Sequence, residues 1–175
     1  MRYGCYAGQF DRSCKIPPSK LFGPNHIEDE AKTLHHPHFD ASIVDLEIER
    51  YKVTRNLIDN GSSADIIFAQ ALDQLDIPNK TMCPVKNNLW GFVRNEVVPL
   101  GQINLLVTFS MFPCCVTIKV NFLVVDNPSI YNTIIGRIIQ HAIQGVASIY
   151  HLLMKFPTPF EIGVVDRIQS LSREN

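Results

Sequence analysis

The chain lacks most of what the common function classes require. Its 16 Lys+Arg stand against 17 Asp+Glu, a formal net charge of -1. No basic face is therefore available to neutralise phosphates, the main source of nucleic-acid affinity, and no nucleic-acid binding is expected. No Gly-x-x-x-x-Gly-Lys is present to cradle a phosphate, and no Gly-x-Ser-x-Gly to raise a nucleophilic serine. The 5 cysteines, Cys5, Cys14, Cys83, Cys114 and Cys115, include no Cys-x-x-Cys, so zinc-ligand spacing is missing. Met1 to Lys15 holds no apolar run of the secretory type. The expectation is free thiols in a reducing, cytoplasmic setting. Val97 to Ile118 carries no charge, but Pro99, Gly101, Gln102, Asn104 and Pro113 break it. It reads as two strands with a turn at Phe112-Pro113 rather than a spanning helix, and no membrane association is expected.

What is present reads as a globular β domain. Hydrophobic residues make up 46% and charged residues 19% of 175 residues, enough to bury a core without staples. Residues 1–40, with Pro17-Pro18, Gly23-Pro24 and His35-His36-Pro37-His38, keep no period and read as a tail or linker. The histidines lack acidic or cysteine partners at ligand spacing, so no metal is assigned to them. From Ala41 apolar and polar residues alternate: Ile43, Val44, Leu46 and Ile48 against Asp45, Glu47 and Glu49. A turn at Arg50-Tyr51-Lys52 leads to a second strand through Val53 to Leu57-Ile58. A polar loop spans Asp59 to Asp65, followed by Ile66-Ile67-Phe68 and a short helix over Ala69 to Leu75. Leu89 to Phe92 and Val97-Val98 flank a polar tip at Arg94-Asn95-Glu96. Strands follow at Gln102 to Phe109 and Cys115 to Val125, the latter apolar enough after Lys119 to be buried on both faces. Thr133 to Gly136, a helical turn from Arg137, and strands at Val146 to Tyr150 and Leu152 to Phe156 close the domain. Many short strands between turn signals predict an all-β barrel with one or two short helices. The domain is set at residues 41–160, with residues 161–175 as a C-terminal tail.

Leu57-Ile58 deliver Asp59 to the end of a strand, and Gly61 follows at a position where a bare backbone permits close approach or unusual φ. Hydrolysis by carboxylates needs a pair: one takes a proton from water, the other donates to the carbonyl oxygen. Two such groups in contact share a proton and titrate together. Other readings of this loop are weaker. Asn60-Gly61 is also a type I′ hairpin signal, but Ser62-Ser63-Ala64-Asp65 intervenes before the next apolar run. A calcium loop would need Gly and Glu where Ala64 and Gln70 stand. Asp65 reads as a cap for the short helix or as a solvated loop residue. Trp90 suits a ligand contact or a core position equally, and Arg137 reads as a solvated surface residue.

The segment Asn56-Leu57-Ile58-Asp59-Asn60-Gly61-Ser62-Ser63-Ala64-Asp65-Ile66-Ile67 resembles the active-site segment of retropepsin-like proteases, most of all those of plant Ty3/gypsy-type retrotransposon gag-pol polyproteins. His35 to Ala41, Val120 to Val125, Tyr131 to Arg137 and Ser148 to Thr158 resemble further segments of that family in the same order, so the likeness covers residues 35–160. The resemblance implies a closed acid-protease barrel and an aspartic endopeptidase without cofactor or metal. It implies Asp59 as catalytic carboxylate, with Asn60, Gly61 and Ser62 forming its loop. Trp90, Gly91 and Phe92 match the substrate-covering flap, and Ile134, Ile135 and Gly136 the turn beneath the loop. The chain departs from the family at Asn60, usually Thr or Ser, at a glycine-poor flap tip, and at Ile138 after Arg137 where Pro is commoner. Glu161-Ile162-Gly163 has the wrong acid for a second active-site loop. One chain thus supplies one carboxylate, and a working site requires a homodimer acting on extended polypeptide. The alternative is a catalytically inactive module of the same fold that dimerises or binds a partner.

Overall fold

The computed structural model describes residues 41–78, 80–85, 89–90, 96–111, 114–148 and 153–166. Among the described residues the regular structure is mostly strand: β1 (Ile43–Ile48), β2 (Tyr51–Ile58), β3 (Ile66–Phe68), β4 (Leu89–Trp90), β5 (Glu96–Val97), β6 (Gly101–Phe109), β7 (Val116–Val125), β8 (Thr133–Ile135), β9 (Val146–Ser148), β10 (Leu153–Pro157) and β11 (Ile162–Asp166). Two short helices interrupt them, α1 (Ala69–Gln74) and α2 (Arg137–Ala142). Six strands close a barrel in the order β1-β2-β8-β3-β7-β6. Strands β9, β10 and β11 form a second sheet with β10 at its centre, and β4 with β5 forms a two-stranded ribbon. The expected all-β closed barrel with one or two short helices is the architecture observed among the described residues.

Alternation sets the barrel's inside. Along β6, Gly101, Ile103, Leu105, Val107 and Phe109 are buried while the residues between them are not. Its partner β7 buries Val116, Val120, Phe122, Val124 and Val125 but leaves Lys119 and Asn121 exposed. The strand expected to be buried on both faces is thus covered on one face over most of its length. Ile48, Ile67, Phe109, Phe122, Ile135 and Phe156 are fully buried. Burying each such side chain contributes about 1.5–3 kcal/mol. Phe109 and Phe156 meet edge to face at 6.1 Å, joining the barrel to the second sheet. The uncharged stretch from Val97 to Ile118 supplies β5 residues, β6 and the start of β7; no helix of the described residues is long and apolar enough to cross a membrane.

Local geometry differs from the sequence-based expectation at four points. The first turn is Glu49-Arg50, not Arg50-Tyr51-Lys52: both residues have positive φ, 49° and 74°, and Ile48 pairs with Tyr51. This is the two-residue turn whose twist matches a hairpin. Glu49 holds the conformation without glycine because its carboxylate accepts from the Leu106 amide at 2.7 Å and its own amide donates to the Leu106 carbonyl. Second, β11 pairs with β10 from Leu153↔Asp166 to Pro157↔Ile162, so the sheet runs past the boundary placed at residue 160. The turn before β11 is closed by the Thr158 hydroxyl, which accepts from the Glu161 amide at 3.1 Å, rather than by a glycine signal. Third, Cys115 is disulfide-bonded while Cys83 and Cys114 are free, which corrects the reading of five free thiols.

The fourth point is a bulge in β2. Val44 pairs with Asn56 and Leu46 with Val53, so Asp45 faces both Thr54 and Arg55, and Arg55 sits at φ 53°. The extra residue reverses the strand's parity. Val53 is buried on one side of it; Asn56 and Ile58 are buried on the other. Without the bulge the inward positions would be Arg55 and Leu57. Asn132 supports it from the neighbouring chain segment, its amide donating to the Arg55 carbonyl at 2.9 Å and its side chain to the Thr54 carbonyl at 2.8 Å.

Candidate active site

The Asp59 loop leaves the end of β2 and returns as β3 on the other side of β8. β2 and β8 run side by side with Ile58 opposite Ile135, and the Asp59 amide continues the ladder by donating to the Ile135 carbonyl at 3.0 Å. Below this pair Asn56 is fully buried. Its side-chain amide donates to the Val53 and Val44 carbonyls at 2.7 and 3.0 Å, and its oxygen accepts from the Thr133 hydroxyl at 2.8 Å. A buried amide with three partners is satisfied and rigid. The two strands that present the loop and its supporting turn are therefore fixed to each other.

Within the loop Asp59 is partly buried and Asn60 and Gly61 are exposed. The Gly61 amide donates to Asp59 Oδ1 at 2.8 Å, and no described residue donates to the other oxygen. The Ser62 amide donates to the Asp59 carbonyl at 3.2 Å, and the Ser62 hydroxyl donates to the Ala64 carbonyl at 2.7 Å. Gly61 does not have positive φ. Its freedom is spatial: a Cβ there would stand 3.1 Å from Asp59 Oδ1. The loop is not a type I′ hairpin, since none of its residues has positive φ.

The segment Ile134-Ile135-Gly136 packs directly against the loop. Ile135 is fully buried, and a Cβ on Gly136 would lie 2.5 Å from the Ala64 carbonyl oxygen and 3.0 Å from that of Ser62. The Arg137 amide donates to the Ser62 carbonyl at 3.0 Å while its side chain is exposed. Asp65 has a part that the sequence does not reveal. It does not cap α1, whose N-terminal residue Phe68 has no side-chain cap. Its carboxylate is 3% exposed and accepts from the Gly136 amide at 2.7 Å and from the Ile139 amide, bracing α2 from just before β3, the strand next to β8. Burial outweighs those two hydrogen bonds and pushes its pKa up to about 6.

The flap expectation falls partly outside the described residues. Leu89↔Val97 and Trp90↔Glu96 form an antiparallel ribbon where the flap is expected. Gly91, Phe92 and the tip lie outside the described residues, as do the histidines of residues 35–38. Glu161-Ile162-Gly163 is no second site: a Cβ on Gly163 would stand 2.5 Å from the Phe156 ring, so this glycine serves packing. Among the described residues no three His, Cys, Asp or Glu side chains converge as a metal site. A cavity of about 440 Å³ opens beside Asp45, Lys52, Thr108, Met111 and Val164, and includes no residue of the Asp59 loop. The loop presents the partly buried Asp59 carboxylate, one oxygen held by the Gly61 amide and the other accepting from no described residue. Such a group can activate water for peptide hydrolysis only if a second carboxylate meets it.

No family model and no curated protein matches the chain. Among solved structures it is similar to the crystal structure of the retroviral protease-like domain of Ddi1 from Leishmania major, with a TM-score of 0.56 and 13% identity over 79% of this chain and 98% of that one. The fold is therefore retropepsin-like.

Proposed function

We propose that the chain is an aspartic endopeptidase of retrotransposon type that hydrolyses extended polypeptide through a pair of Asp59 carboxylates in a homodimer. The observation that carries this reading is the setting of Asp59 in a retropepsin-like fold. Its amide is bonded to the Ile135 carbonyl, one carboxylate oxygen is held by the Gly61 amide, and the other is left open. One carboxylate takes a proton from water and its symmetry mate, protonated, donates to the scissile carbonyl. The exposed Asn60 side chain makes no hydrogen bond to a described residue, which leaves its donors and acceptor for the loop of the second chain. The ordered residue resemblance favours an origin in a plant Ty3/gypsy-type gag-pol polyprotein.

The test is hydrolysis of an unfolded protein substrate between about pH 4 and pH 7, with Asp59→Asn beside the wild type. Cleavage favoured by acid and absent from the variant supports the proposal. A folded chain that cleaves nothing leaves the inactive dimerisation or interaction module as the reading.

A further inference from the structure

We propose that Asp65 is a positioning residue for Asp59: its buried carboxylate fastens the Gly136 turn beneath the active loop and so fixes where the Asp59 carboxylate stands. This deepens the endopeptidase reading and rests on Asp59 being the acting acid.

Three fastenings of the loop converge on one short segment. The Asp59 amide donates to the Ile135 carbonyl at 3.0 Å, and the Ser62 carbonyl accepts from the Arg137 amide at 3.0 Å. Between these two residues stands Gly136, whose amide donates to Asp65 Oδ1 at 2.7 Å. The Ala64 and Ser62 carbonyls press on the same glycine closely enough that no side chain fits there. Asp65 therefore grips the residue on which the loop rests, and by accepting from Ile139 as well it grips the first turn of α2. Its own backbone is fixed independently, because its carbonyl accepts from the Leu123 amide of β7 at 2.9 Å. A change confined to the carboxylate thus alters the turn without releasing the strand.

The carboxylate is also the part that can change with pH. Its pKa is raised to about 6 by burial. The charged or titratable groups on the surrounding elements are Asp59 in the loop, Asp73 on α1, Lys119 and Asp126 on and just after β7, and Arg137 and His141 on α2. None of them hydrogen-bonds or pairs with Asp65. Its response is consequently governed by burial and by the two backbone amides. Hydrogen bonds to an ionised acceptor are the stronger ones, so ionisation tightens the grip on Gly136.

The test follows backbone amides by NMR in the full chain from about pH 4 to about pH 8. In the wild type the Gly136 amide proton should move downfield with a midpoint of about 6, and the Asp59 and Gly61 amides should show a step at the same midpoint. In Asp65→Asn that step should vanish from all three. Above about pH 6, where the wild-type Asp65 is ionised, cleavage by the variant should fall on the order of 10- to 100-fold in kcat with KM unchanged, the pattern of a displaced group. Wild-type Asp59 and Gly61 amides without the shared step, or a step that survives Asp65→Asn, would overturn the proposal. The wild-type titration decides this even where the variant fails to fold. A chain that shows the shared step but cleaves nothing removes the endopeptidase reading alone. A chain that cleaves without the step removes only the role of Asp65.

Discussion

The Thr133 hydroxyl donates to Asn56 Oδ1 at 2.8 Å in the sealed interior, joining the strand that leads into the Asp59 loop to the strand that leads into the Gly136 turn. Asn56→Ala removes the side-chain donor from the Val44 and Val53 carbonyls and leaves the Thr133 hydroxyl without its acceptor. Each buried bond lost is costly, and the variant should lose about 2–4 kcal/mol of stability. The check is the denaturant midpoint, with Asn132→Ala beside it. Asn132 is partly buried and makes one side-chain bond, so its removal should cost about 1 kcal/mol.

Gly136 and Gly61 should respond to the same substitution in opposite ways. A methyl on Gly136 meets the Ala64 carbonyl oxygen at 2.5 Å, and backbone cannot step aside cheaply. Gly136→Ala should cost about 1–3 kcal/mol. A methyl on Gly61 meets only the Asp59 carboxylate, at 3.1 Å, on a backbone without positive φ. Gly61→Ala should leave stability within about 0.5 kcal/mol yet lower turnover on the order of 100-fold by pushing the carboxylate aside. Parallel denaturation curves and cleavage rates per folded chain separate the two effects.

Stability should depend on pH through Asp65. Its pKa in the folded chain is raised to about 6 from 3.8, so the folded state holds the proton more tightly than the unfolded one. The stabilisation is fully present below 3.8 and is lost as pH rises through about 6. The full difference is about 3 kcal/mol. Urea titrations at successive pH values should show this fall in the wild type and not in Asp65→Asn.

The barrel was legible because its long strands obey a simple period: β1 and β6 alternate apolar and polar residues and closed as expected. The Asp59 loop and the turn of Ile134, Ile135 and Gly136 were legible from the resemblance of their residues. Other features were not, for identifiable reasons. The bulge at Thr54-Arg55 carries neither glycine nor asparagine, and its support comes from Asn132, far along the chain. Glu49-Arg50 adopts positive φ because Glu49 bonds to Leu106, a contact between strands that no local pattern announces. β11 was missed because Thr158 between two prolines closes its turn in place of the usual glycine signal. The role of Asp65 depends on Gly136, a residue 71 positions away. Local reading could only assign it to the helix that follows.

The most direct test of a two-chain Asp59 site is subunit poisoning. Asp59→Asn chains are mixed in rising amounts with a fixed amount of wild type, at concentrations where dimers form, and hydrolysis of an unfolded substrate is followed. If each chain supplies one carboxylate, an equal amount of the variant should lower the rate to about half and a large excess should abolish it, as wild-type chains pass into mixed dimers. A rate that stays constant as the variant is added would show that a single chain cleaves alone and would contradict a shared pair of Asp59 carboxylates.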